Sequence, residues 1–279
     1  MTETTLRAAI GTYPETAALL EGRVAAPGLG FDFHRPFPIT KAFAPMVRQA
    51  AYDVSEMAIA TFLMARAFDK PMVLLPIVLA ARFQEKALLC RRDGPIQGPA
   101  DLRGTRIAVR AYSQTTGMWL RGSLSELHGV KAEAQAWTTF EDAHVQEFRD
   151  PPFVTRAAPG QDLLGMLQSG AVDAAIFGNE LPDDPNIGPV FRDLPAAGEA
   201  FRARYGFEPV NHLVVVRREV AQHAPALVEL FRTSGARIET RASLNPAIEV
   251  AIRFCREQGL INAPLSLDQV WAGLPAEVA

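Results

Sequence analysis

The sequence predicts an α/β protein in two lobes, each a mixed, mainly parallel sheet flanked by helices, with two hinge strands joining them. Three observations carry this reading. Strand-like and helix-like segments alternate from end to end, the pattern of βαβ units. Two apolar runs, Lys86 to Arg92 and His212 to Arg218, share a form in which the run ends on Arg-Arg, and they read as a matched pair of hinge strands. The 279 residues are enough for two domains at roughly 100 to 200 residues each.

In chain order, Leu6 to Ile10 forms the first strand, and the segment from Met1 has neither the basic start nor the apolar stretch of a signal peptide. Further strands are expected at Phe31 to Phe33, Val54 and Met72 to Ile77, with helices at Glu15 to Glu21, Thr40 to Ala50 and Ser55 to Ala67. Arg82 to Arg92 reads as a long strand that breaks at Asp93-Gly-Pro95, which suits a crossover between lobes. Thr105 to Val109 is a buried strand, Gln114 to His128 a helix spaced through Leu120, Leu124 and Leu127, and another strand ends at Trp137. A helix at Leu163 to Gln168 closes on Ser169-Gly170, and Val172 to Phe177 is the next strand. After His212 to Arg218 the chain is mostly helical from Ala224 on. Lobe one then comprises residues 1–92 and 211–279, and lobe two residues 93–210, with a small-molecule cleft between them.

Composition narrows the function. Hydrophobic residues are 48% and charged residues 21% of the chain, an ordinary globular balance. A net charge of -3 and the lack of a long Lys/Arg run argue against a nucleic-acid partner. The longest apolar run, Met72 to Ala81, contains Pro76 and is about half of what spans a bilayer, so no membrane partner is expected. Together these predict a cytoplasmic protein acting on a small molecule, alone or as a homo-oligomer. Cys90 and Cys255 lack neighbouring Cys or His at ligand spacing, so both read as buried apolar thiols and no metal site is expected.

The segment Asp101 to Gly122 writes a strand, a polar turn and a helix start in succession. Ser113 is expected to cap the helix, whose first-turn N–H groups, with the side chains of Gln114, Thr115 and Thr116, would receive a carboxylate or phosphate. Arg110 would close an ion pair to it, or else be a solvated charge with Ser113 acting only as a cap.

Tyr52-Asp-Val-Ser-Glu-Met57, Pro76 with Arg82-Phe83, Asp101-Leu-Arg-Gly104, Arg110-Ala-Tyr-Ser-Gln-Thr-Thr116 with Trp119-Leu-Arg-Gly122, Leu127-His-Gly-Val130 and Gly170-Ala-Val-Asp-Ala-Ala175 follow in that order. In this the chain resembles the 4,5-dihydroxyphthalate decarboxylase family, which is similar in turn to type 2 periplasmic solute-binding proteins with their two-lobed, hinged fold. Gln84-Glu85-Lys86 stands where the family usually has a basic residue and a histidine, and Tyr112-Ser-Gln-Thr-Thr116 where it usually has Tyr-Gln-Met-Thr.

The resemblance implies decarboxylation of an electron-rich aromatic acid such as 4,5-dihydroxyphthalate by ring protonation, with no redox cofactor. A cytoplasmic solute-binding or sensor protein of the same fold is the alternative. The chemistry needs a clamp for carboxylates and an acid for the ring carbon. His212, at the start of the second hinge strand, is the expected general acid, because histidine changes charge near neutral pH; His34 is the second candidate, with Arg35 beside it. Arg82 and Arg110 are expected carboxylate ligands through their planar forks. Ser55 and Glu56 read as the opening of a helix, Ser55 as part of a second anion site with Glu56 as base to a phenol, or Glu56 as dipole compensation. Asn179, after a strand end, is expected in the cleft, and Tyr112 in the substrate-binding turn. His144 would be structural or would join Glu141 or Asp142 on a metal.

Overall fold

The computed structural model describes residues 4–278. Met1 to Glu3, the start of the segment expected to lead into the first strand, lie outside the described residues. The elements in chain order are β1 (Thr4–Ala9), α1 (Pro14–Leu20), β2 (Leu29–His34), α2 (Phe43–Gln49), β3 (Val54–Ala58), α3 (Ile59–Ala67) and β4 (Met72–Ala81). Next come β5 (Leu88–Arg91), β6 (Arg106–Val109), α4 (Thr115–His128), β7 (Ala136–Thr139), β8 (Val154–Arg156), α5 (Leu163–Gln168), β9 (Ala174–Ile176), β10 (Ile187–Pro189) and α6 (Leu194–Tyr205). The chain closes with β11 (Val210–Arg217), α7 (Ala224–Ser234), β12 (Arg237–Ile238), α8 (Arg241–Glu257) and α9 (Leu267–Trp271).

Contacts divide the chain into two units. The first holds the chain up to Ala81, Val210–Ile252 and the part from Ile261 on, and the second holds Arg82–Pro209 and Arg253–Leu260. Each has a six-stranded mixed sheet, ordered β12-β4-β11-β3-β1-β2 in the first and β10-β5-β9-β6-β7-β8 in the second. In the first sheet β1 to β4 run one way and β11 and β12 the other. In the second, β5 runs against the other five strands.

The two matched apolar runs occupy equivalent places. β5 follows the division at Ala81 and β11 the division at Pro209, and each is inserted antiparallel between two strands of its own sheet. Buried on both faces, such strands lose the polar alternation of a surface strand, which is why they look alike in sequence. They do not pair with each other. The strand beside β11 at its start is β4, with Val210 opposite Ala81, and the Arg82 N–H donates to the Pro209 carbonyl at 2.9 Å. The division therefore falls at Ala81, so that Arg82 to Arg92, expected in lobe one, belongs to the second unit, as does the Arg253–Leu260 segment. Arg82 to Arg92 is also not one strand: a 3-10 turn at Glu85–Ala87 precedes β5.

Two further differences have local causes. Ser55 and Glu56 do not open a helix; they lie within β3, and α3 starts at Ile59. Ser-Glu resembles a helix start in isolation, but a wholly buried strand beside β1 and β11 overrides that local preference. Met72–Ala81 is a single ten-residue strand despite Pro76. Its register against β11 jumps from Leu213 opposite Val78 to Val214 opposite Leu75, a bulge that takes Pro76 out of the ladder.

The distinctive Trp-Leu-Arg-Gly segment packs the second unit. Trp119 meets the rings of Phe201, Phe207 and Phe254 at 5.8–6.1 Å, edge to face. Gly122 makes room for Phe254, since a Cβ there would lie 2.1 Å from its ring. Arg121 is buried, donates from Nε to Gln258 Oε1 at 2.7 Å and from Nη2 to the Tyr112 carbonyl at 2.6 Å, and covers the Tyr112 ring at 3.9 Å. Burial pulls the Arg121 pKa down, and its Nη1 has no partner.

Candidate active site

In the first unit, chemistry-bearing side chains gather around a carboxylate with no solvent exposure, that of Glu56. In the β3–β11 ladder Val214 faces Glu56 and His212 faces Ala58, so His212 and Glu56 are diagonal neighbours on one face of the sheet. Their side chains meet, with His212 Nδ1 2.6 Å from Glu56 Oε1. The Tyr13 hydroxyl donates to the same oxygen at 2.7 Å, and the Gly11 N–H donates to Oε2 at 2.9 Å.

This environment fixes the roles of the atoms. An ionised carboxylate only accepts hydrogen bonds, so the His212 proton in this contact sits on Nδ1 and Nε2 is the nitrogen left for chemistry. Glu56 is 0% exposed while the His212 side chain is 14% exposed. Of the two, the imidazole is therefore the member with exposed surface. Phe43, at the start of α2, sets its ring edge-on to His212 at 5.2 Å and limits its rotation.

Local sequence builds the other wall. After β1 the chain turns at Gly11-Thr12-Tyr13 into α1, and the buried Thr16 holds that turn from within the helix. Its Oγ1 donates to the Gly11 carbonyl at 2.7 Å and accepts the Tyr13 N–H at 2.9 Å. Tyr13 and Gly11 were not among the residues singled out in the sequence; the available signal was a glycine directly after an apolar strand, followed by a tyrosine before Pro14.

Ser55 and His34 do not join this cluster. Both align with Ala9 of β1 and so lie on the face of the sheet away from Glu56. Ser55 is buried within β3, its hydroxyl donating to the Glu56 carbonyl at 2.8 Å, and the helix that follows starts only at Ile59. His34 is half-exposed, pairs with Asp32 at 3.3 Å and sits against Tyr52; Arg35 donates to the Leu20 carbonyl.

The second unit holds the polar turn before α4. Gln114, not Ser113, is the N-cap, and no side chain caps the helix. The Gln114 N–H closes the turn on the Ala111 carbonyl at 3.0 Å, which shifts the helix start by one residue. Ser113, Thr115 and Thr116 are buried, and the buried Gln114 Oε1 has no partner. Tyr112 is withdrawn from any such role. It is fully buried among Trp137, Phe153 and Arg121, its hydroxyl unpartnered and its pKa raised by burial.

Arg110 is engaged by Glu141 in a half-exposed ion pair, and Asp142 pairs with Arg156. The two carboxylates proposed to join His144 on a metal thus face arginines, and no metal-binding group of three or more His, Cys, Asp or Glu exists among the described residues. Arg82 opens the second unit, and Asn179 is exposed in the loop after β9. One group escaped the sequence reading: Glu85 is 4% exposed, its Oε2 has no partner, and burial raises its pKa.

No family profile matches the chain. It is 29% identical over 275 residues to the 4,5-dihydroxyphthalate decarboxylase of Comamonas testosteroni, covering 92% of this chain and 83% of that one. It is 30% identical over 217 residues to the 4,5-dihydroxyphthalate decarboxylase of Pseudomonas putida, covering 73% of this chain and 83% of that one. Among solved structures it is similar to the periplasmic aliphatic sulphonate-binding protein SsuA of Escherichia coli, with a TM-score of 0.51 at 17% identity over 100% of this chain and 89% of that one. It is also similar to a periplasmic sulfonate-binding protein SsuA from Methylobacillus flagellatus KT, with a TM-score of 0.53 at 11% identity over 96% and 91% of the two chains. These likenesses show the type 2 periplasmic-binding-protein fold. No helix of the described residues is long and apolar enough to cross a membrane.

Proposed function

The chain belongs to the 4,5-dihydroxyphthalate decarboxylase family and is a carboxy-lyase, and from that premise we propose that it decarboxylates a hydroxylated aromatic acid of the 4,5-dihydroxyphthalate kind by protonating the ring. The observation that carries this is the His212–Glu56 pair, in which a buried carboxylate holds Nδ1 and leaves Nε2 as the proton-carrying nitrogen. In the proposed step the imidazolium gives its Nε2 proton to the ring carbon that bears the carboxylate. The bond to the carboxyl carbon then breaks, its electron pair restores the aromatic ring, and carbon dioxide leaves. The neutral imidazole regains a proton from water. A phenolic oxygen supplies the electron push, which explains why the substrate should be hydroxylated.

His212 is the catalytic residue in this reading and Glu56 a positioning residue, because Glu56 is sealed from solvent and cannot serve as base to a phenol. In the second unit, taken by itself, the amino end of α4 is proposed as an anion-binding turn made of the buried Ser113, Thr115 and Thr116 side chains and the first-turn N–H groups. Arg110 is not assigned to that turn, since Glu141 already pairs with it.

The test is incubation with 4,5-dihydroxyphthalate, phthalate and mono- and dihydroxybenzoates while carbon dioxide release is followed. The proposal expects turnover of hydroxylated acids and none of unsubstituted phthalate. Binding of the hydroxylated acids without release would favour the solute-binding alternative and overturn the proposal.

A further inference from the structure

We infer that Tyr13 is a positioning residue of the decarboxylation, holding the Glu56 carboxylate in place and moderating its grip on His212; this rests on the reading of His212 as the ring-protonating acid. The turn between β1 and α1 is built around that carboxylate. It delivers two donors to one side chain, the Gly11 N–H to Oε2 and the Tyr13 hydroxyl to Oε1, and Thr16 pins it from both ends. Gly11 itself is explained by the phenol. Its backbone is outside the left-handed region, so other residues could adopt it, yet a Cβ there would lie 2.6 Å from Tyr13 Cζ and from the phenol oxygen. The glycine leaves the space through which Tyr13 folds back onto Glu56.

The two hydrogen bonds at Oε1 compete. Each donor draws on the same carboxylate oxygen, so the Tyr13 bond lowers the charge density that Glu56 presents to the imidazole ring. The titratable groups in contact with His212 or its carboxylate include Glu56 from β3 and Tyr13 from the turn, while Phe43 from α2 is apolar. Without the phenol hydroxyl, the undivided carboxylate would hold the imidazolium more firmly, which makes His212 a more reluctant proton donor.

The experiment compares Tyr13→Phe, Gly11→Ala and the double variant with wild type, measuring kcat, KM and the pH profile of kcat/KM for 4,5-dihydroxyphthalate, with His212→Gln alongside. Tyr13→Phe should lower kcat roughly tenfold with KM nearly unchanged, and should move the alkaline limb of the profile up by about one pH unit, a tenfold change in proton affinity. Gly11→Ala, which pushes the ring aside but keeps its hydroxyl, should give the same shift, and the double variant should add nothing to either. A Tyr13→Phe variant with the wild-type limb and kcat, whatever its thermal stability, overturns the inference. Should Tyr13→Phe fail to fold, an unmoved limb in Gly11→Ala overturns it equally. Loss of turnover in His212→Gln with an unmoved limb in Tyr13→Phe sinks this inference alone; full turnover in His212→Gln removes the reading beneath it.

Discussion

Replacing Glu56 by glutamine is the most revealing single change to the first unit, because the two side chains have the same shape and differ in what their atoms do. The carboxylate accepts three hydrogen bonds, from Gly11 N–H, Tyr13 O–H and the His212 ring. An amide offers one acceptor and one donor, so one of its two ends must face a donor of the protein. With the amide oxygen toward Tyr13 and His212, the NH2 group opposes the Gly11 N–H, and the charge that supports the imidazolium is gone. A hydrogen bond to a charged group contributes about 1.5–3 kcal/mol, so stability should fall by about that amount. The charge loss makes the imidazolium a readier donor but a scarcer one, and about 2 kcal/mol less support for it corresponds to roughly a thirtyfold smaller protonated population, hence a similar drop in kcat on the alkaline side of the pH profile. Urea unfolding gives the first quantity and carbon dioxide release at saturating substrate the second. Glu56→Ala, which leaves all three donors without their acceptor, should lose more stability than Glu56→Gln. A Glu56→Gln enzyme with the wild-type kcat would refute the argument that this carboxylate works through His212.

Three other outcomes follow from particular contacts. Burial raises the Glu85 carboxyl above its ordinary value of 4.5, so the folded chain keeps this proton to higher pH than the unfolded chain does. Its contribution is complete below that ordinary value and is lost as pH rises through the folded-state value, so Glu85→Gln should be the more stable protein at pH of about 8, with the two converging near about pH 4 in denaturant titrations. Arg110→Ala removes a half-exposed pair of the sort worth about 0–1 kcal/mol, so urea unfolding should shift by no more than that; a larger loss would mean that the pair with Glu141 is more than a surface contact. Gly122→Ala forces a methyl to within 2.1 Å of the Phe254 ring and should cost about 1–3 kcal/mol or more in thermal unfolding, whereas an unchanged Tm would mean that Phe254 moves aside freely.

What could be read in the sequence was what short-range pattern controls. Alternating elements, the apolar runs of β4 and β11 and the αL glycine Gly129 that ends α4 are local signals, and the structure follows them. The likeness of Lys86–Arg92 and His212–Arg218 was also real, but its meaning was an equivalent place in two sheets and not a pairing, which no local pattern encodes. His212 stood out as a histidine at the start of an apolar strand, and the structure places it in β11 beside Glu56. Its partners did not stand out as such: Glu56 is 156 residues away from it, and Tyr13 and Gly11 are 43 and 45 residues from Glu56. Arg110 looked free for the same reason, since Glu141 lies 31 residues on. Tyr112 looked like a site residue because it adjoins a polar turn, while its burial depends on Trp137, Phe153 and Arg121 arriving from elsewhere.

The central claim is that His212 delivers the proton that replaces the departing carboxylate. It is tested most directly by following 4,5-dihydroxyphthalate in D2O with the wild type and His212→Gln, measuring carbon dioxide release and the label in the product while calorimetry measures binding. The wild type should release carbon dioxide and place one deuterium on the vacated ring carbon. His212→Gln should still bind the acid within a few-fold of wild type but turn it over at least about a hundredfold more slowly, the lower range for a lost general acid. Wild-type turnover by His212→Gln, with the same label in the product, would contradict it.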